Sequence, residues 1–443
     1  MAALLEPAVR PRTRVAGMLR PRLRTTPSRL RLAVAAIVVA ALAFGVLGET
    51  AATTRRDAAR TAATESEPLL VRAVRLHDAL ADADATASAT FVIGGAEPSK
   101  RRQRYLTDVT SASSALAVLG RRTDTSPETA AAVATIGREL PLYTGLIETA
   151  RADNRQGFPV GAAYLRQAST LMRERILPAA AQVYAVEGRR LNSRYREGSS
   201  AGPVIAFALV AVLTLAVLIA VQAYLTRLTH RRLNVPLVAA TLMFGAVAAW
   251  GLLGLAAEQR ALLRAQRDGS DPVEVLSAVR VLALRAQADE GLSLAARGSG
   301  DASLADFAAA MQMLGVSGAS DGLLSDARAF ADRQGSAADI RGLSEQFHAY
   351  QRIHERVVGL ASEGRFTAAA DLSVGPSGRE LVLADAIRRR LDRLITASQR
   401  RFEAAAADAS SAVNGLWVAI PLLTCAGALL ALFGVRLRLN EYR

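Results

Sequence analysis

The chain has 443 residues and a net charge of +14; 51% of its residues are hydrophobic but only 5% are aromatic. Its apolar residues are mostly Ala, Leu and Val, a composition that suits helices, and its one cysteine, Cys425, excludes a disulfide framework. The positive charge is gathered in short segments beside apolar stretches, which points to anionic lipid headgroups and away from nucleic acid.

Residues 1–31 form a basic tail with Arg10, Arg12, Arg14, Arg20, Arg22, Arg24, Arg29 and Arg31 against the single acid Glu6, and Pro11, Pro21 and Pro27 oppose a stable helix there. Four apolar windows follow, at 32–48, 203–225, 235–257 and 413–435. About 20 apolar residues in a helix cross a bilayer core of about 30 Å, so the chain is expected to be a multi-pass plasma-membrane protein. The first window with its basic head resembles a signal peptide, but its pairing with the third window makes it an expected uncleaved anchor. The loop 226–234 carries Arg227, Arg231 and Arg232 and no acid, and the tail 436–443 carries Arg436, Arg438 and Arg443 against Glu441. The positive-inside rule places both termini and this loop in the cytoplasm. The long segments 49–202 and 258–412, nearly equal in length, are then extracytoplasmic.

In the first long segment, Ser66–Glu67–Pro68 has the form of a helix start. Leu69, Ala73, Leu76, Leu80, Ala83 and Ala87 follow at alternating spacings of four and three, a heptad-like stripe. Gly94, Gly95 and Pro98 end it. Further helices are expected over 99–119, over 128–154 with a kink at Pro141, and over 162–195 with a bend at Pro178. In the second segment Ser270–Asp271–Pro272 restarts a helix that runs to Arg297, and Gly298, Ser299 and Gly300 make a turn. Helices over 304–314, 323–364 with a break near Gly335, and 378–411 complete it. The turns near 94–98 and 298–301 are expected at the membrane-distal tips. No stretch alternates with period two, so no sheet is expected.

Residues 73–88 (AVRLHDALADADATAS) and 278–293 (AVRVLALRAQADEGLS) align without a gap at an offset of 205. Ala73, Val74, Arg75, Ala81, Ala83, Asp84 and Ser88 recur as Ala278, Val279, Arg280, Ala286, Ala288, Asp289 and Ser293. The expected fold is an all-α membrane protein. It has four transmembrane helices and two tandem extracytoplasmic four-helix-bundle-like domains produced by internal duplication.

No phosphate loop, metal-ligand cluster or nucleophile elbow is present in the sequence, so no enzyme, metal or cofactor is expected. His348 and His354 are six apart, which places them on different helix faces rather than as a zinc pair. His230 in the middle loop has no catalytic domain beside it. With Arg227, Arg231 and Arg232 it forms a candidate cytoplasmic relay loop. The apolar windows are poor in ionisable residues, unlike most transporters. Asp84 and Asp289 lie on or beside the apolar face of their helices, whereas Asp82 points elsewhere and is expected to be solvated. Asp84, Asp289, Asp82 and Glu290 are the candidate switch or partner contacts. A carboxylate against a core needs a partner such as an arginine of a neighbouring helix, and the same residues also serve a purely structural register role. Lys100, Arg101, Arg102 and Arg104, just after the first turn, are a candidate docking patch for an acidic partner.

The segments DADATASATFVIGGAEPSKRRQRY and RAQADEGLSLAARGSG, with the pattern of Phe91, Gly94, Gly95, Glu97 and Pro98 and that of Ala288 to Gly298, resemble the GlnX-type four-span membrane proteins of actinobacteria. The resemblance implies two partners: an external glutamine-binding-type solute lipoprotein and a soluble cytoplasmic serine/threonine kinase of the protein kinase G type. The implied function is to relay nitrogen or acidic amino acid status between them. The rival expectations are a direct small-molecule sensor and a structural envelope protein.

Overall fold

The structure, a computed structural model, describes residues 26–92, 97–121, 126–229, 234–297, 300–317, 321–375, 378–412 and 415–440. The tail 1–25 and the expected turn or loop residues Gly94, Gly95, His230, Arg231, Arg232, Gly298 and Ser299 lie outside them. All regular structure among the described residues is helical, and four helices are long and apolar enough to cross a membrane. The chain divides into two compact units.

The first unit draws on residues up to Thr54, on Ser200–Ala256 and on Val413–Arg443. Its helices are the apolar part of α1 (Thr26–Thr61), α7 (Ala201–Thr229), the apolar part of α8 (Val235–Ala265) and α15 (Leu416–Asn440). Phe44, Phe207 and Phe244 form its centre, with Phe44 ring centroids 5.1 Å from Phe207 and 5.2 Å from Phe244. Small residues let the helices approach: a Cβ on Gly48 would lie 2.8 Å from Ile420 and Phe207, and one on Gly427 2.9 Å from Phe244. Polar side chains bond across helices, as small-residue membrane packing favours. Gln222 donates to Thr241 at 2.6 Å, and Thr214 donates to the Ala40 carbonyl at 3.2 Å. Leu42, Leu209, Val212, Leu242 and Leu429 face outward, so the apolar surface runs all the way round, as a lipid environment requires.

The second unit comprises Arg55–Ser199 and Ala257–Ala412. The two long segments, expected as tandem bundles, therefore pack into one body. Its first segment holds α2 (Glu67–Phe91), α3 (Ser99–Gly120), α4 (Pro127–Arg155), α5 (Val160–Leu171) and α6 (Leu177–Ser199). Its second holds α9 (Asp271–Ala295), α10 (Asp301–Leu314), α11 (Leu323–Gln334), α12 (Ala337–Ser362), α13 (Phe366–Ser373) and α14 (Arg379–Ala412). The stripe Leu69, Ala73, Leu76, Leu80, Ala83 and Ala87 is buried in the first core, as expected. The break near Gly335 is also as expected; this residue adopts φ 68° and ends α11.

What joins the segments is the pairing of α2 with α9, the two repeated stretches, both 25 residues long. Ala81, Ala85, Leu284 and Ala288 form the seam. Closest of all is Gly291, where a Cβ would sit 2.7 Å from the Ser88 carbonyl carbon. Because α3 and α6 cover other sides of α2, every residue from Asp78 to Thr90 is buried.

Neither Ser66 nor Ser270 starts a helix. Both have helical backbone and make no side-chain cap. Instead π turns at Ala62–Ser66 and Gln266–Ser270 carry the helix onward, and a third lies at Met172–Ile176. Each ends two residues before a proline: Pro68, Pro272 and Pro178. The residue preceding each proline donates five residues back, Glu67 to Ala62, Asp271 to Gln266 and Leu177 to Met172. Proline has no N–H and crowds the preceding turn; a wider turn accommodates it without breaking the helix. Pro141 sits inside α4 without ending it.

Candidate functional site

Three aspartates of α2 sit at positions 78, 82 and 84, on the part of the helix that is buried all round, and each meets an arginine that also holds an acid from another helix. Arg173, in the third π turn, lies 3.9 Å from Asp84 and bonds Asp289 of α9 directly. Arg104 of α3 bonds Asp82 and reaches Asp385 of α14 at 3.0 Å. Arg280 of α9 lies 3.6 Å from Asp78 and 2.6 Å from Asp392 of α14. Carboxylates in a core must be paired; here Arg104 and Arg280 each serve two carboxylates, and Arg173 serves three, reaching Asp306 of α10 at 3.5 Å as well. The planar fork of a guanidinium suits that sharing better than an ammonium would.

Asp84 is the most fully satisfied of the acids. Ser169 donates to it at 2.8 Å and Tyr143 at 3.4 Å. Burial still raises its pKa, against the pull of Arg173 and these two donors. Burial raises Asp289 to about 6 with Arg173 again opposing, and raises Asp78 to about 6 with Arg280 opposing. Buried carboxylates at these values carry less than full charge near neutrality, so a small rearrangement of the arginines changes their ionisation. A cavity of about 210 Å³ opens beside the first bridge, lined by His77, Asp84, Arg173 and Arg285 among others.

The expected switch residues Asp84, Asp289, Asp82 and Glu290 are all buried. Asp82 is not solvated: it is buried, and Arg104 of α3, which packs against α2, bonds it. Arg104 therefore does not belong to a free docking patch. Arg101 donates to the Val374 carbonyl at 3.2 Å, and Arg102 pairs with Glu148 at 2.8 Å. Of that group only Lys100 is exposed. Glu290 takes no part in the bridges; it accepts from the Tyr350 hydroxyl at 3.1 Å. His348 is exposed while His354 is buried, so the two histidines make no pair. Arg227 lies exposed in the last turn of α7, and its expected companions His230, Arg231 and Arg232 are outside the described residues.

Sequence reasoning missed Asp78, Arg173, Tyr143, Ser169, Arg280, Asp385 and Asp392 as members of the site. Only the proline at 178 was a usable signal, since it places a π turn around Arg173, and such turns recur at functional sites.

Residues 58–196 match the family model described as the actinobacterial sensor domain. The matched stretch contains Asp78, Asp82, Asp84, Arg104, Tyr143, Ser169 and Arg173, hence the α2 side of every bridge. The match supports a sensor protein of actinobacterial type, and the four apolar helices fit a membrane protein. No curated protein and no solved structure matches the chain.

Proposed function

We propose that this chain is a non-enzymatic transmembrane sensor that relays nitrogen or acidic amino acid status. In this reading the second unit lies outside the plasma membrane and meets an amino-acid-binding lipoprotein. The arginine-rich loop and termini lie in the cytoplasm and meet a soluble serine/threonine kinase. The observation that carries the sensor reading is the set of three shared arginines, within or facing the matched sensor region. Each couples α2 to a helix of the other segment. A shared guanidinium offers alternative pairings to the helices on either side of it, which is what a two-state element needs. The lipoprotein and the kinase come from the resemblance to GlnX-type proteins.

The test is in-cell crosslinking of the full chain, with and without external glutamate. Recovery of a solute-binding lipoprotein and a kinase, in yields that change with the ligand, supports the relay. Recovery of neither, from cells shown to express both, refutes it.

A second reading is favoured by the cavity beside Arg173. Its lining offers an aspartate and two arginines together, the charges that an amino acid's ammonium and carboxylate require. Calorimetry of the purified chain with glutamate, aspartate and glutamine distinguishes direct sensing from relay through a lipoprotein.

A further inference from the structure

A second buried polar cluster lies apart from the bridges, where α9, α12 and α14 meet. Glu290, His354 and Glu380 bring one carboxylate oxygen, one imidazole nitrogen and a second carboxylate oxygen within 4.8 Å of one another, all three side chains buried. His354 Nδ1 lies 3.5 Å from Glu290 and 3.9 Å from Glu380. Two donors bound about 2.1 Å from one tetrahedral ion stand about 3.4 Å apart, so these separations fit ligands around a common centre better than they fit hydrogen bonds.

The hydrogen bonding is incomplete in the same place. Both oxygens of Glu380, Oε1 of Glu290 and Nδ1 of His354 are buried without a hydrogen-bond partner. Among the described residues no lysine or arginine pairs with either glutamate, in a chain whose other core carboxylates hold arginines. Buried charge without a cation is costly enough that native cores avoid it. Two carboxylates and a neutral imidazole need a charge of about +2 at this point. The remaining contacts are those of an oriented ligand set. Tyr350 donates to Glu290, and Phe307 stacks on the His354 ring at 3.5 Å, fixing its plane. A cavity of about 190 Å³, lined by Glu290, His354, Ser293 and Asp301, opens beside the cluster and leaves room for a water or a further ligand.

We propose that Glu290, His354 and Glu380 bind a divalent first-row transition ion that joins α9, α12 and α14. The imidazole donor favours Zn²⁺ or Mn²⁺ over Mg²⁺ or Ca²⁺, which prefer all-oxygen shells. The inference is independent of the relay reading, since it uses none of the bridge residues. Glu290 stands among the expected switch contacts and His354 among the scattered histidines; Glu380, which carries no motif, completes the set.

The experiment loads the metal-free, detergent-purified full chain with Zn²⁺ and measures bound ion after dialysis against Mg²⁺. One Zn²⁺ per chain is expected, with affinity lowered at least about tenfold by E380Q and by H354A and unchanged by H348A. Co²⁺ on the unaltered chain provides a readout that needs no variant, because nitrogen and oxygen ligation gives it visible absorption bands. No retained Zn²⁺ and no Co²⁺ bands would overturn the proposal, leaving a protonated cluster. So would an E380Q chain of native helix content that binds as tightly as the parent.

Discussion

Gly291→Ala tests the crossing of α2 and α9 on which the second unit depends. The new Cβ would stand 2.7 Å from the Ser88 carbonyl carbon, 2.8 Å from its oxygen and 3.0 Å from the Ala89 nitrogen. These are backbone atoms, so no rotamer change can relieve the contact. Ordinary contact begins at about 3.4 Å, so α2 must retreat by roughly 0.7 Å, with α3 and α6 packed against it. Overpacking of this kind costs about 1–3 kcal/mol, and the backbone target argues for the upper end. Alanine also gains about 1 kcal/mol of helix propensity over glycine. Gly145→Ala supplies the control, because Gly145 is helical in α4 with nothing within 4 Å of a new Cβ. G145A should be stabilised by about 0.5–1 kcal/mol, and G291A should fall about 3 kcal/mol below it. At roughly 2–4 °C per kcal/mol in a body this large, the two melting curves should separate by about 6–12 °C in circular dichroism. Coincident curves for G291A and G145A would refute the close crossing.

Arg173→Met leaves Asp84 and Asp289 without their shared cation and should cost about 3–5 kcal/mol in denaturant unfolding; adding D84N and D289N should restore most of it. Arg55 and Glu258 form a fully buried pair at 3.2 Å. Glu258→Gln should cost about 3 kcal/mol in the same assay, whereas exposed Glu363→Gln, removing the partner of Arg365, should cost under about 1 kcal/mol. Acidification gives a signed test. Burial holds Asp78 at about 6 and Asp108 at about 7, both up from 3.8. The folded chain therefore binds protons that the unfolded chain has released, and stability should rise as pH falls from about 8 towards 5. His77, held down to about 4 from 6.5 by burial, opposes the trend below 6.5. Melting temperatures that fall steadily from pH 8 to pH 5 would count against these assignments, and D78N should flatten the profile.

Much of the helix content was legible in the sequence because it is local. The stripe from Leu69 to Ala87 repeats within a few turns, and the four apolar windows announce themselves by length. Gly335 marks its own break by needing φ 68°. What failed was of two kinds. Ser66 and Ser270 carry helix-start chemistry, but helical residues precede them as well as follow them, and the prolines behind them are absorbed by a π turn rather than a cap. Asp82 looked solvated because an amphipathic reading carries one wet face along the whole helix, whereas α2 keeps exposed residues at Pro68, Arg72 and Arg75 and has none from Asp78 to Thr90. That the buried acids need arginines could be read, but which arginines could not. Asp84 and Ser169 are 85 residues apart, Arg173 and Asp289 116, and Arg280 and Asp392 112. No local period encodes those distances.

In the relay proposed above, the shared arginines would supply sensitivity without large motion. At an effective dielectric of about 20, moving one carboxylate from about 3 to 4 Å from a guanidinium changes their interaction by roughly 1.4 kcal/mol, a factor of about ten in an equilibrium. In the bridge at Arg173, the guanidinium bonds Asp289 of α9 directly and lies 3.9 Å from Asp84 of α2, with Asp306 of α10 a third neighbour at 3.5 Å. Displacing α2 against α9 by about 1 Å would shorten one of the first two contacts as it lengthens the other, so the net cost of exchange is smaller than either contact. Three such exchanges in series on one helix bring the coupling into the range of about 1–3 kcal/mol typical of allosteric proteins. The buried Arg55–Glu258 pair takes no part in the three bridges, and it is expected to hold its helices in place rather than to exchange. Charge-neutral replacement at Arg55 and Glu258 together should then leave ligand-dependent crosslinking intact, whereas replacement at Arg173, Asp84 and Asp289 together should abolish it in a chain that still folds. Equal effects from the two sets would mean that the bridges hold the fold and carry no signal.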